Sequence, residues 1–269
     1  MIPIRDANPT SRVPIITLAI IAANVAAFLL WQPTFGTRLE QQFFFFCNAE
    51  IPWEVSHQMN LVEGGAEAHL ALEQDIEPGA GDLVQDFMQR SCPDKSWLMS
   101  IFVAMFLHGG WLHIAGNMLF LWIFGNNIED RLGYLVFPVF YLLGGLAAAG
   151  LQLAFDPNLA VPNLGASGAI GAVLGAYAVL FPHARVTTLV IFFFITIIEI
   201  PAAYVLGGWF LLQIFSGVGQ LGIDVNAGVA YWAHVGGFAF GAIVALLFYR
   251  RRGPRRPELD IYPSRPGYF

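Results

Sequence analysis

The sequence predicts an all-α membrane protein, a bundle of six transmembrane helices with a long extracytoplasmic first loop. Three observations predict it. Hydrophobic residues make up 57% of the 269 residues and charged residues only 12%, against a charge content of roughly 25% in soluble domains. Apolar runs recur along the chain, several near the ~20 residues that a helix needs to cross a bilayer core. Lys and Arg fall unequally on the two faces that these runs define. A soluble globule of this length cannot hide so much apolar surface, and disorder requires the opposite composition. The net charge of −6, with no basic stripe interleaved with aromatics, argues against a nucleic-acid partner. Two cysteines are too few for a Cys-rich metal site, and neither a metal nor a cofactor is implied.

The elements follow in order. Residues 1–12 are a short N-terminal segment, and residues 13–31 form the first span. That run is longer than the ~7–15 apolar residues of a signal peptide and lacks a small-x-small cleavage site, so it reads as a span and not a leader. Residues 32–96 are a polar, acidic insertion in the first loop. The core covers 97–249. Within it, 97–107 is too short to cross and reads as an interfacial or re-entrant helix. Spans two, three and four are 111–125, 134–155 and 165–181. The run 186–217 is too long for one straight helix, and Pro201 divides it. Residues 186–200 are then interfacial and 201–215 the fifth span. Residues 228–249 form the sixth, and 250–269 a basic tail.

Six spans place both termini on one side. That side carries ten of the thirteen Lys and Arg, so the termini are predicted cytoplasmic and the protein a multi-pass component of the cell (inner) membrane. The first loop holds eleven acids against Arg38, Arg90 and Lys95, so the chain's acidity belongs to this insertion. Cys47 and Cys92 lie near its two ends. In an oxidising compartment they would pair; two free thiols are the other reading.

Polar side chains inside spans are costly and point to function. His113 and Asn117 are spaced i, i+4 and share a helix face. Ser167 opens the fourth span, and His234 lies in the sixth. A membrane serine alone is ordinary, because its hydroxyl bonds to the previous turn. Its setting carries the argument. Ser167, Gly171 and Gly175 form one small-residue stripe; His234, Gly237 and Gly241 form another. Such stripes let helix backbones approach closely, which would bring the serine and histidine together as nucleophile and base. Ser167 at a helix N-terminus would also have free N–H groups for an oxyanion, with His113 and Asn117 as further donors. Asp224, ten residues before His234, is about 15 Å away along a helix, so a Ser–His dyad is expected.

These residues stand in motifs. His108-Gly-Gly-Trp-Leu-His113-Ile-Ala-Gly-Asn117, Glu129-Asp-Arg131-Leu-Gly133, Gly165-Ala-Ser167-Gly168 and Ala233-His234-Val-Gly-Gly237 follow in that order. Together they resemble the rhomboid family of intramembrane serine proteases, specifically bacterial-type members with a six-span core. The resemblance implies Ser167 as nucleophile, His234 as general base, and an oxyanion hole of His113, Asn117 and the Ser167 N–H. It places His108, Gly165, Gly168 and Gly171 around the cavity and Gly175, Gly237 and Gly241 in helix packing. Glu129 and Arg131 become structural ties. The implied partners are the lipid bilayer and a transmembrane protein substrate, whose helix must unwind locally to expose its backbone. Trp209 and Phe210 are candidate gate residues on the fifth span.

Two features depart from some family members. Gly171 stands where certain bacterial members carry a tyrosine beneath the catalytic imidazole, so another group must hold the His234 ring; Tyr231 and Trp232 are nearby in sequence. The first loop is also long.

Other classes fit less well. No HExxH metalloprotease motif is present, and no predicted span holds an aspartate. A transporter would need polar groups across the whole bilayer, whereas these cluster toward one side. A rhomboid-like, non-proteolytic client-binding protein is the alternative reading.

Overall fold

A computed structural model of the chain describes residues 2–191, 195–220 and 230–249. The basic tail and Asp224 lie outside them. The fold is mostly helical, but not all-α as the sequence suggests. Strands β1 (Ile2–Asp6), β2 (Arg185–Ile191) and β3 (Ile195–Pro201) form an antiparallel sheet in the order β1-β2-β3. The expected interfacial segment 186–200 is thus a hairpin, with Val186 opposite Ile200 and Leu189 opposite Ile197. Its β-branched residues favour strand over helix. Pro3 is tolerated because β1 is an edge strand.

Three helices among the described residues are long and apolar enough to cross a bilayer: Val136–Phe155, Ala202–Gly219 and Tyr231–Tyr249. Ile15–Trp31 and Ser167–Leu180 are shorter apolar helices. The first of these comprises α1 (Ile15–Ala26) and a π-helical turn. Between the loop and the core, α6 (Trp97–Ala104) is capped by Ser96, whose hydroxyl accepts from Met99 N–H. The expected second span is α7 (Trp111–Phe120), which continues through a π turn into α8 (Asn126–Leu132). It ends at Gly133, whose φ of +87° suits glycine.

At this end Glu129 receives the backbone N–H groups of Ile16 and Thr17 and the Thr17 hydroxyl at 2.6–2.9 Å. A buried carboxylate therefore caps α1, whose own sequence lacks a side-chain cap. Arg131 donates to the carbonyl of Tyr249 at 2.9 Å, tying down the last apolar helix. Asp6 accepts from Asn127 and from the Tyr177 hydroxyl, each at 2.7 Å, and so fastens the sheet to the helices.

The insertion folds around its own small core. It contains α2 (Arg38–Asn48), α3 (Pro52–His57), α4 (Gly65–Asp75) and α5 (Ala80–Ser91). Thr37 and Glu40 form a capping box at the start of α2. Phe46, Ile51, Trp53, Leu61, Leu72 and Met88 bury one another. A Cys47–Cys92 disulfide joins the ends of α2 and α5. Inside, Lys95 Nζ lies 2.7 Å from Glu54 Oε2 and donates to the Phe46 carbonyl. Burial raises the Glu54 carboxyl and lowers the Lys95 ammonium, and each partner's charge opposes that shift.

The bundle core centres on α10 (Ser167–Leu180), packed between α9 (Val136–Phe155) and α12 (Tyr231–Val244). Facing it is α11 (Ala202–Gln220), whose Tyr204, Leu212 and Phe215 point away from the protein. The α10–α12 contact is backbone against backbone. A Cβ on Gly241 would lie 1.8 Å from the Ala172 carbonyl oxygen, and one on Gly237 2.0 Å from that of Gly168. A Cβ on Gly175 would lie 2.0 Å from the Phe238 carbonyl oxygen. These contacts leave room for hydrogen only, the geometry of Cα–H···O packing.

Gly241→Ala should therefore destabilise the protein by about 1–3 kcal/mol. Gly150→Ala, with nothing within 4 Å of the added methyl, should be neutral or stabilising, given helix propensity. Thermal unfolding in detergent would compare them; equal midpoints would contradict the packing account.

Candidate active site

The site begins at the turn before α10. Gly165 has φ +130°, which favours glycine, and its N–H donates to the Ala104 carbonyl at 2.9 Å. The chain then enters α10 with Ser167 as its first residue and no side-chain cap ahead of it. The first N–H groups are thus left for a ligand.

His234 reaches Ser167 from α12, with Nε2 2.8 Å from the serine Oγ. The other ring nitrogen, Nδ1, lies 2.7 Å from Gln213 Oε1 on α11. An amide oxygen only accepts, so the proton is on Nδ1 and the Nε2 lone pair faces the serine hydroxyl. Trp209, one turn before Gln213, has its ring centre 5.7 Å from that of His234. Gln213 and Trp209 therefore hold the imidazole. Trp232 does not: its ring stacks on Phe155 at 3.7 Å.

Gly171 does not line the cavity. It faces α12, where a Cβ would stand 3.1 Å from the His234 carbonyl oxygen. An aromatic side chain at this position would force the two helices apart.

His113 and Asn117 project from α7 toward the same space. The Gly109 N–H donates to His113 Nδ1 at 3.3 Å, which leaves the ring proton on Nε2. A Cβ on Gly165 would lie 2.9 Å from that nitrogen and 3.4 Å from Ser167 Oγ. Glycine thus keeps this donor close to the Ser167 hydroxyl. Asn117 Nδ2 is buried with no hydrogen-bond partner among the described residues. A buried unsatisfied amide donor is costly unless a ligand completes it.

These groups line a cavity of about 590 Å³, together with Gly165, Gly168, Trp209 and Glu50. His108, expected among its walls, is not one of them. Its backbone is clamped by Gln32 through two 2.9 Å hydrogen bonds, and its ring stands edge-on to His113 at 5.1 Å. Phe210, a candidate gate residue, instead stacks on Phe238 at 4.3 Å.

Gln213 and Glu50 were not identified from the sequence. Gln213 is a polar residue inside an apolar run, a signal that was available. Gln152 carries the same signal; it accepts from Ala233 N–H and steadies the start of α12. Glu50 offered none, since it lies in an acidic loop. Burial pushes its carboxyl up to about 7, against the opposing hydrogen bond from Asn163 and the charge of Lys95.

A family model, the Rhomboid domain, matches residues 95–251, and the chain belongs to the rhomboid family. It is 32% identical over 150 residues to "Rhomboid protein 1, mitochondrial" of Saccharomyces cerevisiae, which covers 54% of this chain and 40% of that protein. "RHOMBOID-like protein 4" of Arabidopsis thaliana is 28% identical over 156 residues, covering 57% of this chain and 34% of its own length. "Rhomboid protease GluP" of Bacillus subtilis is 40% identical over 70 residues, covering 26% and 13% respectively. The chain spans less than half the length of the curated relatives it matches. The insertion before residue 95 lies outside the family match.

Gln213→Leu keeps the side-chain size but removes the acceptor. Losing a hydrogen bond to an imidazole that becomes charged costs about 1.5–3 kcal/mol, so reaction of Ser167 with a fluorophosphonate should slow by tenfold or more. An unchanged labelling rate would mean that Gln213 does not orient the ring.

Proposed function

We propose that the chain is an intramembrane serine endopeptidase that cleaves transmembrane protein substrates with a Ser167–His234 dyad. The observation that carries this reading is the 2.8 Å contact between Ser167 Oγ and His234 Nε2, with Nδ1 already committed to Gln213. Both termini face the cytoplasm in this reading, and six helices cross the bilayer. The insertion 32–96 then lies on the opposite side, adjoining the cavity.

The chemistry follows from the proton positions. His234 Nε2 takes the serine proton as Oγ attacks a carbonyl carbon of the unwound substrate. The resulting oxyanion meets the Ser167 N–H, His113 Nε2–H and the Asn117 amide. The intermediate collapses, the C–N bond breaks, and His234 gives its proton to the departing amine. Water then repeats the sequence on the acyl-enzyme ester, with His234 again as base, and releases the acid. Neither side-chain donor has a hydrogen-bond acceptor among the described residues to lose when the oxyanion forms. A protein that only bound clients would have no use for two inward-facing donors beside an aligned nucleophile and base.

Wild-type protein should label with a fluorophosphonate and cleave membrane-inserted substrates, and Ser167→Ala should do neither. Asn117→Ala should retain the fold while cleavage falls about 10²–10³-fold. Undiminished labelling of Ser167→Ala would exclude the mechanism.

A further inference from the structure

The insertion contributes a residue to the cavity itself. Glu50 is only 4% exposed, and it is the one carboxylate among the described residues lining the cavity. It sits between α2 and α3, where the chain pairs with the segment leading to the nucleophile. The Asn163 N–H donates to the Glu50 carbonyl at 2.7 Å, and Asn163 Nδ2 donates to Glu50 Oε2 at 3.0 Å. This antiparallel bridge fixes Glu50 relative to Gly165 and Ser167, two and four residues beyond Asn163. The second carboxylate oxygen, Oε1, is buried and has no hydrogen-bond partner among the described residues.

An acid so placed is expensive. A buried carboxylate needs hydrogen bonds to both oxygens and a cation nearby. Lys95 is the nearby cation and its charge acts on Glu50, but its ammonium lies against Glu54 and donates to the Phe46 carbonyl. The remaining walls are largely apolar; of the polar side chains among them, Asn163 already donates to Oε2, and the others are chiefly the dyad and the oxyanion donors. Burial, which raises this carboxyl, lets Glu50 shed part of the cost as the neutral acid; a cation entering the cavity would complete Oε1 and keep the group charged.

We propose that Glu50 is a specificity-determining residue that receives a basic side chain, Arg or Lys, of the substrate near the scissile bond. The assignment rests on the protease reading above. A guanidinium would donate to Oε1 and add its charge to that of Lys95; an acidic side chain at the same place would be repelled. The insertion thereby becomes part of the substrate site rather than a separate appendage.

The test uses full-length protein in detergent and quenched fluorogenic peptides with an Ala–Gly-rich transmembrane centre. Members differ only in one residue, moved through the positions flanking the cleaved bond: Arg, its uncharged isostere citrulline, Leu or Glu. At one position wild type should prefer Arg over citrulline and Leu by about tenfold, with Glu poorest; a charge pair in a closed site is worth at least this. Glu50→Gln should reduce the Arg-to-citrulline ratio to about one. The ratio is internal, so a change in overall rate does not disturb it.

Fluorophosphonate labelling of Ser167 reports whether each form is assembled. Should Glu50→Gln fail to label, the wild-type Arg-to-citrulline ratio alone decides the matter. A wild type that labels but shows no preference overturns the assignment, whether it cleaves every member alike or none. So does a preference that survives in labelled Glu50→Gln. A wild type that neither labels nor cleaves overturns the protease reading instead.

Discussion

The structure depends on the near-contact of two helix backbones. Along α10 and α12, glycine hydrogens meet carbonyl oxygens at distances where no methyl fits. Nothing in a lipid environment drives helices together as water does, so association rests on close packing. Close packing also fixes geometry. Two helices locked at Gly168–Gly237, Ala172–Gly241 and Gly175–Phe238 cannot slide or rotate against each other. Ser167 and His234 sit at the end of that lock, and their hydrogen bond inherits its precision. The same constraint explains Gly171: backbone occupies the space an aromatic support for the imidazole would need.

Support for the ring comes instead from α11, through an amide and an indole. In an apolar interior this arrangement has an advantage. A buried carboxylate behind the histidine would cost several kcal/mol in lost hydration, whereas a glutamine orients the ring without adding charge. The other donors are prepared in the same way. A backbone N–H sets the tautomer of His113, and the Asn117 amide is buried beside the cavity with its donor uncommitted among the described residues. Most of the remaining surface inside the bundle is small or apolar.

Much of this was legible in the sequence because its signals are periodic. Apolar runs gave the helices, and glycine stripes at helical spacing placed Ser167 opposite His234. Two failures have physical causes. The strands β2 and β3 fall in a run that was read by hydropathy, which does not distinguish an apolar strand from an interfacial helix; their β-branched residues, and a partner strand far away in sequence at Ile2–Asp6, decide the matter. Gln213 and Glu50 act through long-range approach, which spacing along one helix does not encode. His108 and Gly171 were assigned to the cavity by motif position, yet one is turned aside by a clamp from Gln32 and the other is covered by α12.

The last turn of α8, which holds Glu129 and Arg131, also bears on how the molecule is assembled. Its carboxylate caps a helix 112 residues earlier, and its guanidinium grips a carbonyl 118 residues later. The first apolar helix therefore emerges during synthesis with its leading N–H groups unanswered, and must wait for α8. The turn in turn waits for the last helix before its arginine is engaged. The two ends of the bundle are thus secured in a set order through one hub, and the last bond closes only when the chain has been made as far as Tyr249.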